Sequence, residues 1–252
     1  MIIFFILLGL IFGSFMNVLI YRLPQGLSIV SPKSSCPNCN SYIKWYDNIP
    51  VISYILLKGR CRNCKKSISI TYPIVEITTA LVFSLIYISF GASLDFIKYA
   101  IFSFLLLSSS FTDIKTLIDK NFETGVIPDI YPFIGILVAL VFALYEKNII
   151  DFLAGFGAGF LVLYIPALIY RYIKKRDGIG EGDFLIFGMV GCFLGYKSIP
   201  YILTLSALTG LLIGVCIVMY TKNSKFPLPF APMLSIGGLI YLFTDNILKI
   251  SF

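Results

Sequence analysis

Two aspartates stand at the edges of apolar runs that otherwise exclude charge: Asp113 in Ser110-Phe111-Thr112-Asp113-Ile114-Lys115 and Asp183 in Gly180-Glu181-Gly182-Asp183-Phe184. An ionisable group at the margin of hydrocarbon is costly and marks a functional site whose partner should be sought. Each is read here as the partner of the other. Two carboxyls in one pocket cannot both ionise cheaply, so they share a proton, and such a pair can hydrolyse a peptide bond without a metal or a covalent nucleophile. One ionised member takes a proton from water while the neutral one protonates the leaving amine. The chain contains no histidine, which removes the Ser-His-Asp and Cys-His routes. Helix polarity favours charge on Asp183, which begins an apolar run, over Asp113, which ends one; this makes Asp183 the base and Asp113 the proton donor. Two other classes remain open on the residues alone. One is an ion-coupled transporter in which the carboxyls relay protons, and the other an assembly scaffold in which they are dispensable.

A second constellation is Cys36-Pro37-Asn38-Cys39 and Cys61-Arg62-Asn63-Cys64. Paired Cys-x-x-Cys turns match a tetrahedral all-thiolate zinc site. Four thiolates leave no position for a metal-bound water, so zinc here would fold the segment and not catalyse. A disulfide pair or redox motif is the competing reading, disfavoured in a reducing compartment. Cys192 and Cys216 lie within apolar runs and read as packing residues.

The elements that must position these groups are membrane helices. Hydrophobic residues make up 58% of the chain and charged ones 13%, with a mean hydropathy of +0.90; a soluble domain is far less apolar. A hydrocarbon core of about 30 Å needs roughly 20 helical residues to cross. Eight runs qualify, near residues 2–21, 73–91, 96–112, 127–145, 149–172, 183–196, 199–220 and 228–248, the sixth being short. The first has no basic start and no small-residue cleavage site, so it reads as a retained helix and not a signal peptide. With an external N-terminus, residues 22–72, 113–126, 171–182 and 221–226 face the cytoplasm and hold 16 of the 20 basic residues. Both aspartates then fall on the cytoplasmic side. The net charge of +7 is accounted for by this topology and by anionic lipid, with no nucleic acid partner required. The expected fold is therefore an all-α polytopic membrane protein of about eight helices with a small cytoplasmic zinc-binding loop. Its parts are a first helix at 1–21, the four-cysteine loop at 22–72 and a membrane domain at 73–252.

The order of motifs resembles the type IV prepilin peptidases, bifunctional leader peptidases and N-methyltransferases of bacterial pilus and type II secretion systems. The likeness runs through Gly13-Ser14-Phe15-Met16-Asn17-Val18, Tyr21-Arg22-Leu23-Pro24, Ser31-Pro32, Ser35, Ile49-Pro50-Val51-Ile52-Ser53, Gly59-Arg60-Cys61 and Tyr72-Pro73-Ile74-Val75-Glu76. It continues in Gly180-Glu181-Gly182-Asp183 and Pro227-Leu228-Pro229-Phe230-Ala231-Pro232. The resemblance implies catalytic Asp113 and Asp183, with Gly180 and Gly182 completing the Gly-x-Gly-Asp motif of intramembrane aspartyl peptidases. It implies cleavage of prepilins and pseudopilins at the bacterial inner membrane, and methylation of the new N-terminus by S-adenosylmethionine. The methylation is tied to the region of Cys36, Cys39, Cys61 and Cys64. No dinucleotide-type glycine-rich turn supports the methyl donor independently.

Two departures stand out. Relatives place a Pro-Asp or Pro-Asn pair soon after the first aspartate, whereas Pro128-Asp129 here follows an insertion of roughly Asp119 through Val126, which makes Asp119 a reserve candidate. Leu185 replaces a lysine common two residues after the second aspartate. Asp119, Glu123, Asp129, Asp177 and Glu181 lie around this face, where they could attract a basic leader or simply be solvated loop charges.

Overall fold

A computed structural model of the chain describes residues 1–119, 121–122, 124–175, 180–221 and 228–251. Glu123, Asp177 and Pro227, together with most of the 221–226 segment, lie outside the described residues. Nine α-helices are described: α1 Ile2–Arg22, α2 Ile52–Leu56, α3 Thr71–Phe90, α4 Leu94–Ile118, α5 Ile130–Tyr145, α6 Ile149–Lys174, α7 Glu181–Leu194, α8 Ile199–Thr221 and α9 Ala231–Ser251. The eight long ones coincide with the eight expected runs, and α2 is a single turn inside the cysteine insert. By length and composition five can cross a membrane, namely α1, α3, α4, α6 and α8, and α5 is a shorter apolar helix. Among the described residues there are no strands, only two isolated bridges in the cysteine insert.

The chain divides into two compact units, Met1–Ala92 and Ser93–Phe252. In the first, α1 and α3 run antiparallel in close contact because glycine faces backbone: a β-carbon at Gly13 would stand 2.6 Å from the α-carbon of Glu76. Close approach through small residues is how membrane helices associate when lipid is as apolar as leucine. Phe5 stacks on Tyr87 at 4.2 Å between ring centroids, and Asn17 Nδ2 donates to the Tyr72 carbonyl at 3.1 Å. Glu76 is buried, and its Oε2 accepts the Val51 amide at 2.7 Å, tying the cysteine insert to α3.

In the second unit α7 is the central element. At 14 residues it is about 21 Å long, too short to cross alone, and its Ile186, Phe187, Met189 and Val190 are fully enclosed by neighbouring helices. It therefore need not match the bilayer. Gly155 of α6 and Gly191 of α7 bring the two backbones together, with a β-carbon on either meeting the other's carbonyl oxygen. Helix α4 carries a buried hydroxyl row of Ser103, Ser109, Ser110, Thr112 and Thr116. Each of these hydroxyls donates to a carbonyl one turn earlier, so the row enters an apolar bundle already satisfied.

The main difference from expectation is the end of α4. The apolar run stops at 112, but the helix continues to Ile118, so Asp113 sits within it and not at its terminus. Thr112 and Thr116 bond back to the Ser108 and Thr112 carbonyls, so their hydroxyls are satisfied within the helix as it passes the polar residues.

Candidate functional site

Asp113 is buried on α4, one and a half turns before the helix ends. Its Oδ2 accepts the backbone N–H of Ala231, the first residue of α9, at 3.3 Å. The start of α9 is held there by Ser235, whose hydroxyl contacts that of Ser110 and donates to the Leu106 carbonyl at 3.1 Å. A helix N-terminus thus supports Asp113 as well as Asp183, and the expected contrast in helix polarity between them is lost.

Asp183 is the third residue of α7, and its backbone N–H donates to the Gly180 carbonyl at 3.2 Å. The carboxyl is buried, within electrostatic reach of Asp113. Its Oδ1 is enclosed and has no hydrogen-bond partner among the described residues. A buried carboxylate oxygen without a donor is expensive, so this atom is suited to hold a water or a substrate group. A β-carbon at Gly180 would lie 3.4 Å from Asp183 Oδ2, so the chain passes the carboxyl at van der Waals distance.

The segment after α4 supplies a further wall. Residues 125–128 run without helix or turn, and the Val126 N–H donates to Thr116 Oγ1 at 2.8 Å. Gly125 rests on Asp113, where a β-carbon would fall on Oδ1, and a β-carbon on Gly182 would stand 3.0 Å from that of Ile127. One short strap therefore touches both acidic loci. Asp119, the reserve candidate, caps α4, and its Oδ1 accepts the Asn121 amide at 3.1 Å and Asn121 Nδ2 at 2.8 Å. Leu185 is half-buried, and Asp129 and Glu181 are exposed. Gly125, Thr116 and Ser235 escaped sequence reasoning. The available signal was a glycine inside the insertion, which marks a close backbone approach.

In the insert, the sequence Cys-x-x-Cys folds twice into one turn. The Cys36 N–H bonds to the Ser41 carbonyl at 3.0 Å and the Cys61 N–H to the Lys66 carbonyl at 2.9 Å, while Asn40 and Lys65, each following a second cysteine, take φ values of 55° and 59°. The four sulfurs of Cys36, Cys39, Cys61 and Cys64 lie within 4.8 Å of one another. Cys36 and Cys64 Sγ are 3.8 Å apart, far beyond the disulfide length of about 2.05 Å. A tetrahedron with Zn–S of about 2.3 Å spaces its sulfurs by about 3.8 Å, so the cluster fits a structural zinc. The Ser41 hydroxyl beside Cys39 holds that thiol down at about 6. Cys192 is half-buried in α7 and Cys216 exposed on α8.

Residues 7–90 match the bacterial peptidase A24 N-terminal domain, and residues 99–215 match the type IV leader peptidase family. The chain is 34% identical to a prepilin leader peptidase/N-methyltransferase of Bacillus subtilis, covering 96% of this chain and 94% of that protein. It is 33% identical to the protein of the same description from Pseudomonas aeruginosa, over 94% of this chain and 88% of the other. It is 32% identical to a type 4 prepilin-like proteins leader peptide-processing enzyme of Escherichia coli, over 93% and 91%. No solved structure matches.

Proposed function

The chain belongs to the type IV leader peptidase family, and on that premise we propose that it removes the basic leader from prepilins and pseudopilins and methylates the amine so released. The observation that carries the proteolytic half is the buried pair Asp113 and Asp183, with one carboxylate oxygen left free of any described donor. A water placed between the carboxyls loses a proton to the ionised member as its oxygen attacks the scissile carbonyl. The neutral member protonates the departing amine, so the pair ends with its single shared proton transferred across and is reset by exchange. The pair titrates as a unit, and both members receive helix N-terminal support, so the roles belong to the dyad and not to fixed residues. The glycine at 180 lets the chain pass close to the Asp183 carboxyl, and the glycine at 182 admits Ile127 of the strap beside the start of α7.

The relatives are named for processing prepilins, and the ion-transporter reading receives no support from them. Methyl transfer rests on those names and uses S-adenosylmethionine as co-substrate. Cys36, Cys39, Cys61 and Cys64 would hold a zinc ion that folds residues 22–72. We assign that segment to methyl transfer, residues 1–21 to anchoring, and 73–252 to peptide cleavage. The bias of basic residues towards one side orients the site to the cytoplasmic face of the inner membrane. There it meets the junction between a substrate's leader and its own membrane helix.

The test is to express Asp113→Asn and Asp183→Asn separately with a native prepilin. Each is expected to abolish processing, with general acid–base catalysis alone contributing about 10²–10⁴-fold. Normal trimming by either variant would refute the dyad. Purified protein that cleaves but transfers no labelled methyl group would refute the second activity.

A further inference from the structure

The cysteine insert concentrates charge and apolar surface in a way neither activity explains. Residues 22–72 hold eight basic residues against a single acidic one, Asp47, while the rest of the chain holds twelve of each sign, so the whole net charge of +7 resides in the insert. Asp47 is itself clasped by Arg62 at 2.6 and 2.8 Å. Lys33, Lys44, Lys58, Arg60, Lys65 and Lys66 are all exposed.

The same insert exposes large apolar side chains that no lipid-facing helix accounts for. Trp45 is 81% exposed, Leu56 76% and Ile55 67%. Trp45 opens the 3-10 turn Trp45–Asn48, and α2, which carries Ile55 and Leu56, packs back against that turn. The turn is braced from within: Arg62 lies over the Tyr46 ring at 5.4 Å and Lys44 at 5.6 Å. Trp45 meets the Tyr46 ring edge-on, with 5.6 Å between centroids, yet it and the α2 side chains Ile55 and Leu56 keep most of their surface exposed. Both ends of the insert continue into the antiparallel pair α1 and α3, since Asn17 touches Tyr72 at the end where the insert leaves and returns. The Val51 amide, just before α2, also donates to Glu76 Oε2 of α3 at 2.7 Å, which keeps α2 close to the ends of that pair and so near the headgroup layer in the membrane reading. Aromatic side chains with lysines around them are what that layer accommodates.

We infer that the zinc-module surface formed by Trp45, Ile55 and Leu56, flanked by Lys44 and Lys58, docks onto the anionic lipid surface of the membrane in which α1 and α3 are embedded. Apolar side chains enter the headgroup boundary, and the lysines pair with anionic lipid. The inference rests on the membrane reading and is independent of the aspartate chemistry.

Trp45 is the only tryptophan of the chain, which makes it a native reporter. Full-length protein is placed in nanodiscs of zwitterionic lipid alone or with anionic phosphatidylglycerol, and Trp45 emission is read with doxyl groups carried at shallow depth on the lipid and with aqueous acrylamide. Docking predicts emission at shorter wavelength, quenching by shallow doxyl lipid and protection from acrylamide in anionic discs, all weakened by added salt. Lys44→Glu and Lys58→Glu should each weaken the docked population about fivefold while prepilin cleavage in detergent is unchanged. Emission of a water-exposed tryptophan in both lipids would overturn the proposal. So would a shortened wavelength that doxyl lipid does not quench, which would place Trp45 against protein. The wild-type comparison needs no variant to fold.

Discussion

The backbone of Gly125 rests against the Asp113 carboxyl so closely that a methyl group there would coincide with Oδ1. A residue of the segment between α4 and α5 thus forms one wall of the acidic pocket, and its lack of a side chain is what permits the fit. Gly125→Ala must push the strap or the carboxyl aside. Overpacking of this kind costs about 1–3 kcal/mol, and misplacement of a reacting group by about 1 Å can cost about 100-fold in rate. The expected result is a fall of about 10- to 100-fold in kcat for prepilin cleavage with protein yield retained, read by steady-state kinetics on purified enzyme.

The strap is pinned at Thr116, whose hydroxyl accepts the Val126 N–H at 2.8 Å and donates along α4 to the Thr112 carbonyl at 2.9 Å. Thr116→Val keeps the shape and removes the acceptor, leaving a partly buried N–H unpaired at a cost of about 1–3 kcal/mol. Thr116→Ser restores the bond. If the strap positions Asp113, the valine variant loses about tenfold in kcat, the serine variant stays near wild type, and KM moves little in either. Loss in the serine variant with the valine variant near wild type would assign the effect to packing of the methyl group instead.

How far these relationships could be read from sequence depends on whether they are local. The eight long helices follow from runs of apolar residues that need no tertiary information, and the repeated Cys-x-x-Cys turn follows from spacing within a few residues. Hydropathy falls at 112 and points to the end of α4 there, whereas the helix runs on to Ile118 with its hydroxyls satisfied by its own carbonyls. The amide of Ala231 reaching Asp113 joins residues 118 positions apart, and no periodicity reports such a pairing. Gly125 stood in a segment recognisable as an insertion, yet only the fold shows that the segment returns over the carboxyl. The run at 183–196 is short for a lipid-facing span, and α7 is instead enclosed by protein.

The four-cysteine cluster leads to a separable outcome. Structural zinc sites contribute about 10–16 kcal/mol to the folding of small modules, and the insert has little other core, since Cys36 is the one buried side chain described between Arg22 and Thr71. Stripping the metal with a strong chelator should release one zinc per chain and raise amide exchange across residues 35–67, while α4 and α7 keep their protection. Methyl transfer should be lost and prepilin cleavage largely kept, because Asp113 and Asp183 belong to the other compact unit. Exchange followed by mass spectrometry, with metal analysis of the same samples, checks both halves.

The far end of α4 offers an asymmetric test of burial. Lys98 is buried and its Nζ meets Glu146 Oε1 at 2.7 Å, with side-chain exposures of 11% and 37%. Removing the acid strands an ammonium in a poorly hydrated place, and breaking buried pairs in this way costs about 3–5 kcal/mol. The partial exposure of Glu146 and the Phe142 ring 5.9 Å from the ammonium lower that figure to about 1–3 kcal/mol. Removing the base leaves a carboxylate that water can reach, while a methionine fills the space of the lysine stem. Glu146→Gln should therefore lower the thermal midpoint in detergent more than Lys98→Met does. Fifteen residues of helix, about 22 Å, separate Lys98 from Asp113, so cleavage below the melting range should be unchanged in both variants. Equal destabilisation by the two substitutions would show that the ammonium is hydrated in place of being paired.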